Sequence, residues 1–180
     1  MIEYQELLMN AIDSIDLDKV SNVVNLVCST IGQGDRIYVI GNGGNASTAS
    51  HFACDLQKGA SENRNVRAMS LCDNLALLTA WSNDFNFRVA LSEQVRTLIA
   101  EGDLLFAFSA SGKSQNITEA VALATDNLAT TIGISGYGGG QLSEEVHYPL
   151  IIQSDNMQVV EDVTLMLCHM IFREVKKKMG

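Results

Sequence analysis

Arg36-Ile37-Tyr38-Val39-Ile40-Gly41-Asn42-Gly43-Gly44-Asn45-Ala46-Ser47 is a short β-branched and aromatic run that stops on glycine and enters a helical pattern. A strand that turns on glycine into a helix is the opening unit of an alternating α/β chain. The same alternation continues downstream. Strands are predicted at Val66–Leu71, Asp103–Ser109, Ala129–Ile134 and Tyr148–Ile152. Helices are predicted at Ala46–Leu56, Asp73–Ser82, Ser114–Thr125 and Met157–Lys178. The strands are almost continuously apolar, which implies a parallel sheet covered on both faces. Ligands of such sheets bind beyond the carboxyl ends of the strands.

Upstream, Leu7, Leu8, Ile12, Ile15, Val20, Val23, Val24, Leu26 and Val27 recur at helical spacing from Glu3 to Ile31. Asp16-Leu17-Asp18 breaks this segment, with Asp18 the expected cap of a second helix, and Gly32 and Gly34 mark the turn into the first strand. Gly136–Gly140 reads as a flexible loop, and the single proline, Pro149, opens the last strand, where it is tolerated.

The 180 residues fit one domain, and 47% apolar with 18% charged residues is a globular composition. No apolar run approaches the roughly 20 residues of a membrane span. The start, Met1-Ile2-Glu3-Tyr4, carries acid where an export signal carries Lys or Arg, so a cytoplasmic protein without a membrane partner is expected. A formal charge of -9 argues against a nucleic-acid surface. It leaves room for a phosphorylated small molecule, which needs only a local pocket of donors. Lys176-Lys177-Lys178 ends a helix and complements its dipole. Cys28, Cys54, Cys72 and Cys168 form no C-x-x-C pair and lie in apolar stretches, so buried reduced thiols are expected.

Two loops carry the chemistry of binding. Gly41, Gly43 and Ala46 fit G-x-G-x-x-A, but a dinucleotide site needs an acidic residue at the end of the next strand. That strand ends near Leu71, and Asp73 lies too far on, so no nucleotide cofactor is expected. The second loop, Ser109-Ala110-Ser111-Gly112-Lys113-Ser114, brings three hydroxyls to a helix start, a neutral cradle for a phosphate monoester. Its end resembles a P-loop, but position 107 is Ala107 where that motif requires glycine. Ser114 also serves as an ordinary helix cap.

The ordered set Gly41-Asn42-Gly43-Gly44, His51-Phe52-Ala53-Cys54-Asp55, Asn83-Asp84, Ser109–Ser114 and a last helix bearing His169 resembles the sugar isomerase (SIS) domain family, and within it the phosphoheptose isomerases. The resemblance spans the chain. It implies a flavodoxin-like three-layer α/β/α sandwich with a five-stranded parallel sheet. Residues 1–32 would be an N-terminal helical segment that forms the oligomer, and 33–180 the α/β core. It further implies a homotetramer with active sites between subunits, often with zinc, one ion per subunit. The reaction it implies interconverts sedoheptulose 7-phosphate and an aldoheptose 7-phosphate.

Carried over by position, Ser109, Ser111 and Ser114 hold the phosphate, and Ala110 belongs to the substrate site with them. Asn42, Gly43, Gly44, Asn83, Asp84 and Glu161 line the sugar. Asp55 and His169 correspond to the catalytic pair, and His51, Asp55, Glu161 and His169 to the metal set. Three positions depart from the family pattern: Asp55 replaces Glu, Glu161 replaces Gln, and Asn45 stands where many relatives place serine.

His51 and Asp55, four apart, share a helix face, as do Glu161 and His169 two turns apart. Two imidazoles and two carboxylates suit zinc or another divalent ion. Ketose–aldose exchange needs a base to move a proton between adjacent carbons through an enediol and an acid to serve the oxygens. Asp55 and His169 offer both. His147 reads as structural, and Trp81 and Phe85 as packing of the pocket wall. Close SIS relatives that bind the replication initiator protein make a non-catalytic adaptor the alternative, and a phosphosugar sensor is a third reading.

Overall fold

Four parallel pairings join the strands of one sheet in the order β2-β1-β3-β4-β5. The strands are β1 (Arg36–Ile40), β2 (Arg67–Ser70), β3 (Leu104–Phe108), β4 (Thr130–Ser135) and β5 (Tyr148–Ile151). The structure, a computed structural model, describes residues 2–60 and 65–180; Met1 of the acidic start lies outside the described residues. The helices are α1 (Ile2–Asp13), α2 (Leu17–Gln33), α3 (Gly44–Gly59), α4 (Leu75–Asp84), α5 (Ser92–Leu98), α6 (Gln115–Asp126), α7 (Gly140–Glu145) and α8 (Met157–Met179). This is the flavodoxin-like strand order.

Side chains alternate across each strand, which divides the core in two. Ile37, Val39, Leu104, Phe106 and Phe108 face α2, α3 and α8, where Val23, Val27, Phe52, Leu56, Val163 and Leu167 are buried. Tyr38, Ile40, Leu105 and Ala107 face the other layer, against Val95, Ile117, Val121 and Leu142 of α5, α6 and α7. β1 and β3 are therefore apolar at every buried position, the reason their sequences lack alternation. Pro149 lies in β5, an edge strand, where its missing N–H breaks no central ladder.

The structure corrects several local expectations. Asp16, not Asp18, caps α2: its Oδ1 accepts from the amides of Asp18 and Lys19, both at 3.1 Å. Asp16 is the residue with extended backbone, and Asp18 already lies inside the first turn. α4 starts at Leu75 rather than Asp73, with Asn74 as its cap, accepting from the Leu77 amide at 3.0 Å, while the Asp73 carboxylate accepts from the Ser50 hydroxyl. α5 is an added helix, built on Leu91, Val95 and Ile99 at four-residue spacing. Gly136–Gly140 is an ordered 3₁₀ turn leading into α7. It packs so closely on the serine loop that a Cβ on Gly112, whose φ is +65°, would lie 1.9 Å from the Gly139 carbonyl oxygen.

Of the four thiols, only Cys168 is buried; Cys28 and Cys72 are half-buried and Cys54 is exposed. Cys54 falls just outside the α3 stripe of Phe52, Ala53 and Leu56 that enters the core. All four are free cysteines. No helix among the described residues is long and apolar enough to cross a membrane.

Candidate active site

The loops at 41–47 and 109–114 leave the sheet at the same end and at adjacent strands. β1 and β3 are neighbours, with Ile40 opposite Ala107 as the last pair in register. The strand order reverses between them, which opens a crevice at their carboxyl ends. α3 departs to one face of the sheet and α6 to the other.

The serine loop turns on itself, with the Gly112 amide donating to the Ser109 carbonyl at 2.9 Å. Ser109 is buried, and its hydroxyl lies 3.2 Å from that of Ser114. Ser111 accepts from the Lys113 amide at 3.2 Å. Ala110 is buried, and its carbonyl accepts from the Gly136 amide. Ser114 occupies the cap position of α6 with extended backbone, yet its side chain makes no capping bond. The helix start therefore keeps its positive end open, with the Ser109 and Ser114 hydroxyls beside it.

In the glycine loop, a Cβ on Gly44 would lie 2.6 Å from Glu161 Oε2, so glycine makes room there for that carboxylate. The start of α3 is thus already faced by an acid from α8, which disfavours a phosphate at that end. Asn45 is buried, and its Oδ1 has no hydrogen-bond partner among the described residues. Asn42 is paired with Asn116 through two amide–amide bonds of 2.9 and 2.8 Å. Cys72 ties the β2 end to the same loop, its Sγ donating to the Gly41 carbonyl at 3.3 Å. Burial pushes the Cys72 thiol up, which keeps it protonated as that donor.

Beyond the loops, α3 and α8 bring three side chains together. Asp55 Oδ2 lies 3.5 Å from His51 Nε2 and 3.8 Å from His169 Nε2. The two imidazoles approach edge to face, with ring centroids 5.0 Å apart. Among the described residues, this trio is the His/Cys/Asp/Glu group whose ligand atoms all lie within 4.8 Å of one another. Each of the three stays partly open to solvent. Glu161 stands apart, two turns nearer the start of α8, so the predicted set of four converges as three.

Asn83 and Asp84 lie exposed at the end of α4, where Asn83 donates to Asp84 at 3.0 Å. α4 buries no residue. Trp81 and Phe85 pack on each other, with centroids 5.2 Å apart. His147 is held in the fold, its Nδ1 accepting from the Thr131 amide at 3.1 Å. The residue that sequence reasoning missed is Asn116; its only signal was a polar residue at a core-facing position of α6.

A 2-1-3-4-5 sheet with two helix-opening loops at its switch point and a histidine–carboxylate group on flanking helices defines a flavodoxin-like α/β protein with an open crevice at its strand ends. The SIS domain family model matches residues 2–136. This chain belongs to the SIS domain family. It is 34% identical over 173 residues to the phosphoheptose isomerase of Synechocystis sp., covering 96% of this chain and 89% of that one. The probable phosphoheptose isomerase of Thermoplasma acidophilum is 30% identical over 166 residues, covering 92% and 91%. Among solved structures, the phosphoheptose isomerase of Neisseria gonorrhoeae superposes with a TM-score of 0.90 at 25% identity, covering 98% of this chain and 94% of that one.

Proposed function

We propose that this chain is a cytoplasmic phosphoheptose isomerase that interconverts sedoheptulose 7-phosphate and an aldoheptose 7-phosphate. The observation that carries this reading is the pairing of an uncapped α6 start, flanked by the Ser109 and Ser114 hydroxyls, with a separate acid–base group on α3 and α8. A sugar phosphate needs both: donors for the monoester at one end and proton transfer at the other.

The Ser109, Ser111 and Ser114 hydroxyls and the amides at the start of α6 hold the phosphate, which fixes the register of the sugar chain. Asn42 and the open backbone at Gly43 and Gly44 face the hydroxylated middle of the substrate. Asn83 and Asp84 join this lining. Asp55 and His169 act as the acid–base pair. One takes the proton from C1 of the ketose and returns it to C2, and the other serves the two oxygens of the enediol.

The trio fits a divalent ion by its donor chemistry. Two imidazole nitrogens and a carboxylate form a catalytic three-ligand zinc set with an open position. Bonds of about 2.0–2.1 Å in a tetrahedral site separate ligands by about 3.4 Å, and the three pairs here stand 3.3, 3.5 and 3.8 Å apart. A zinc ion held by His51, Asp55 and His169 would supply Lewis-acid polarisation of the sugar oxygens in place of the proton that His169 Nε2 otherwise gives them, and the proton transfer between carbons would then fall to the free oxygen of Asp55. In this reading Glu161, which lies against Gly44, lines the sugar.

A homotetramer is part of the same reading. Met69, Leu75, Phe85 and Phe87 around α4, and Ile2, Met9 and Leu17 on the N-terminal helices, are exposed apolar side chains that suit coverage by other subunits. Such assembly would also cover the Trp81–Phe85 pair and bring a neighbour toward the half-open trio. Incubation of the purified protein with sedoheptulose 7-phosphate and zinc, followed by NMR, tests the activity. New anomeric aldose signals are expected; their absence would leave an adaptor or sensor role.

A further inference from the structure

The Asn42–Asn116 contact joins residues 74 positions apart, and the isomerase chemistry above does not require it. Each side-chain amide offers two N–H donors and two acceptor sites. Here each Nδ2 donates to the other's Oδ1, at 2.9 and 2.8 Å, so one donor and one acceptor of each amide are taken. The remaining N–H and lone pair of Asn42 are thereby aimed in one fixed sense.

Location makes the contact more than another buried bond. β1 and β3 separate after the Ile40–Ala107 pair, and their following helices leave to opposite faces of the sheet. Past that point the amide pair is the hydrogen-bonded tie between the loops at 41–47 and 109–114 and their helix starts, among the described residues. Asn116 is 4% exposed and lies in the first turn of α6, two residues after Ser114. Asn42 is half-buried and lies directly ahead of α3, which carries His51 and Asp55.

We infer that Asn116 is a positioning residue: it sets the orientation of the Asn42 amide and couples the phosphate loop to the sugar loop across the crevice. This rests on the reading of those loops as phosphate and sugar sites. Asn116 touches no substrate in this scheme; it acts through Asn42. A substrate whose phosphate seats at Ser114 meets a sugar loop already in register, which lowers the ordering cost of binding.

The test combines Asn116→Ala, Asn42→Ala and the double variant, each assayed with sedoheptulose 7-phosphate and by amide hydrogen exchange. The expected result is a rise in KM of roughly tenfold for Asn116→Ala, the worth of one to two hydrogen bonds. The double variant should be no worse than Asn42→Ala alone, because both remove the same coupling. Exchange should quicken at Gly43 and Gly44 while β3 and α8 keep wild-type protection. Effects that multiply in the double variant, or exchange at Gly43 and Gly44 that stays unchanged, would overturn the inference. An inactive wild-type protein would overturn the isomerase reading instead, and the exchange measurement would still decide the role of Asn116.

Discussion

His51 Nε2 and His169 Nε2 face each other at 3.3 Å, although 118 residues separate them in the chain. Two imidazole nitrogens at that distance can share a single cation. With Asp55 Oδ2 alongside, the cation has a third ligand. The protein should therefore purify with, or take up, one zinc per chain, measured by elemental analysis. His51→Ala and His169→Ala should each abolish that stoichiometry without loss of fold, since both side chains are about half exposed. Full zinc occupancy in both variants would remove the trio from consideration as a metal site.

Asp55 carries the proton-transfer argument. Asp55→Asn keeps the shape but removes the base, and kcat should fall by about 10²–10⁴-fold. Asp55→Glu adds one methylene and keeps the carboxylate, so it should retain turnover within about tenfold of wild type, the reach rather than the chemistry being altered. Initial rates on sedoheptulose 7-phosphate separate the two. Equal losses in both variants would show that the position of the carboxylate, not its basicity, is limiting.

Ser114 gives an unusual stability prediction. Replacing a serine cap by alanine ordinarily costs about 0.5–2 kcal/mol. Here the hydroxyl makes no capping bond, so Ser114→Ala should leave Tm close to wild type. Its loss should appear in substrate binding, where a hydrogen bond to a charged phosphate is worth about 1.5–3 kcal/mol, a KM rise of roughly 10- to 100-fold. Thermal melts and steady-state kinetics on one preparation give both numbers.

Phe52 shows how the core supports the site. It is fully buried beside His51 in the chain, and its ring meets Phe106 at 5.1 Å and Phe108 at 6.5 Å. Phe52→Ala should cost about 3–5 kcal/mol in denaturant unfolding. The same change should loosen the seating of α3, so activity should fall below that expected from the folded fraction alone.

Tyr38 predicts the alkaline limit. Burial raises its phenol above the ordinary value, with the Asp103 carboxylate adding to the effect, and its hydroxyl donates to the Leu98 carbonyl at 2.9 Å. A raised folded pKa means that the unfolded chain loses this proton first. The stabilisation is therefore complete below about pH 10 and is lost as pH climbs through the folded value. Tyr38→Phe should flatten the fall of stability above pH 10, as measured by urea midpoints across that range.

The architecture was largely legible because β1 and β3 read as uninterrupted apolar runs, and each ends in a loop with glycine or serine that opens a helix. The pairing of His51 with Asp55 was legible too, since four residues is one turn. His169 joining them depended on how α8 lies on α3, which no local pattern encodes; only the family resemblance pointed to it. That Glu161 lies against Gly44 was equally invisible, since it too depends on how α8 lies on α3. Asn116 was hidden for the opposite reason: a buried polar residue within an apolar helix looks like noise until its partner across the crevice is known.

Glu161 and His169 also define what evolution can do to α8. The helix acts as a gauge, with one mark beside Gly44 and the other, about 12 Å along its axis, at the histidine pair. Inserting or deleting one residue between the marks would swing His169 by about 100° and carry its imidazole off the face of α3. Growth or trimming after Lys176 would disturb neither mark. Length variation among descendants of this chain should therefore collect at the tail of the helix and be absent between its two marks.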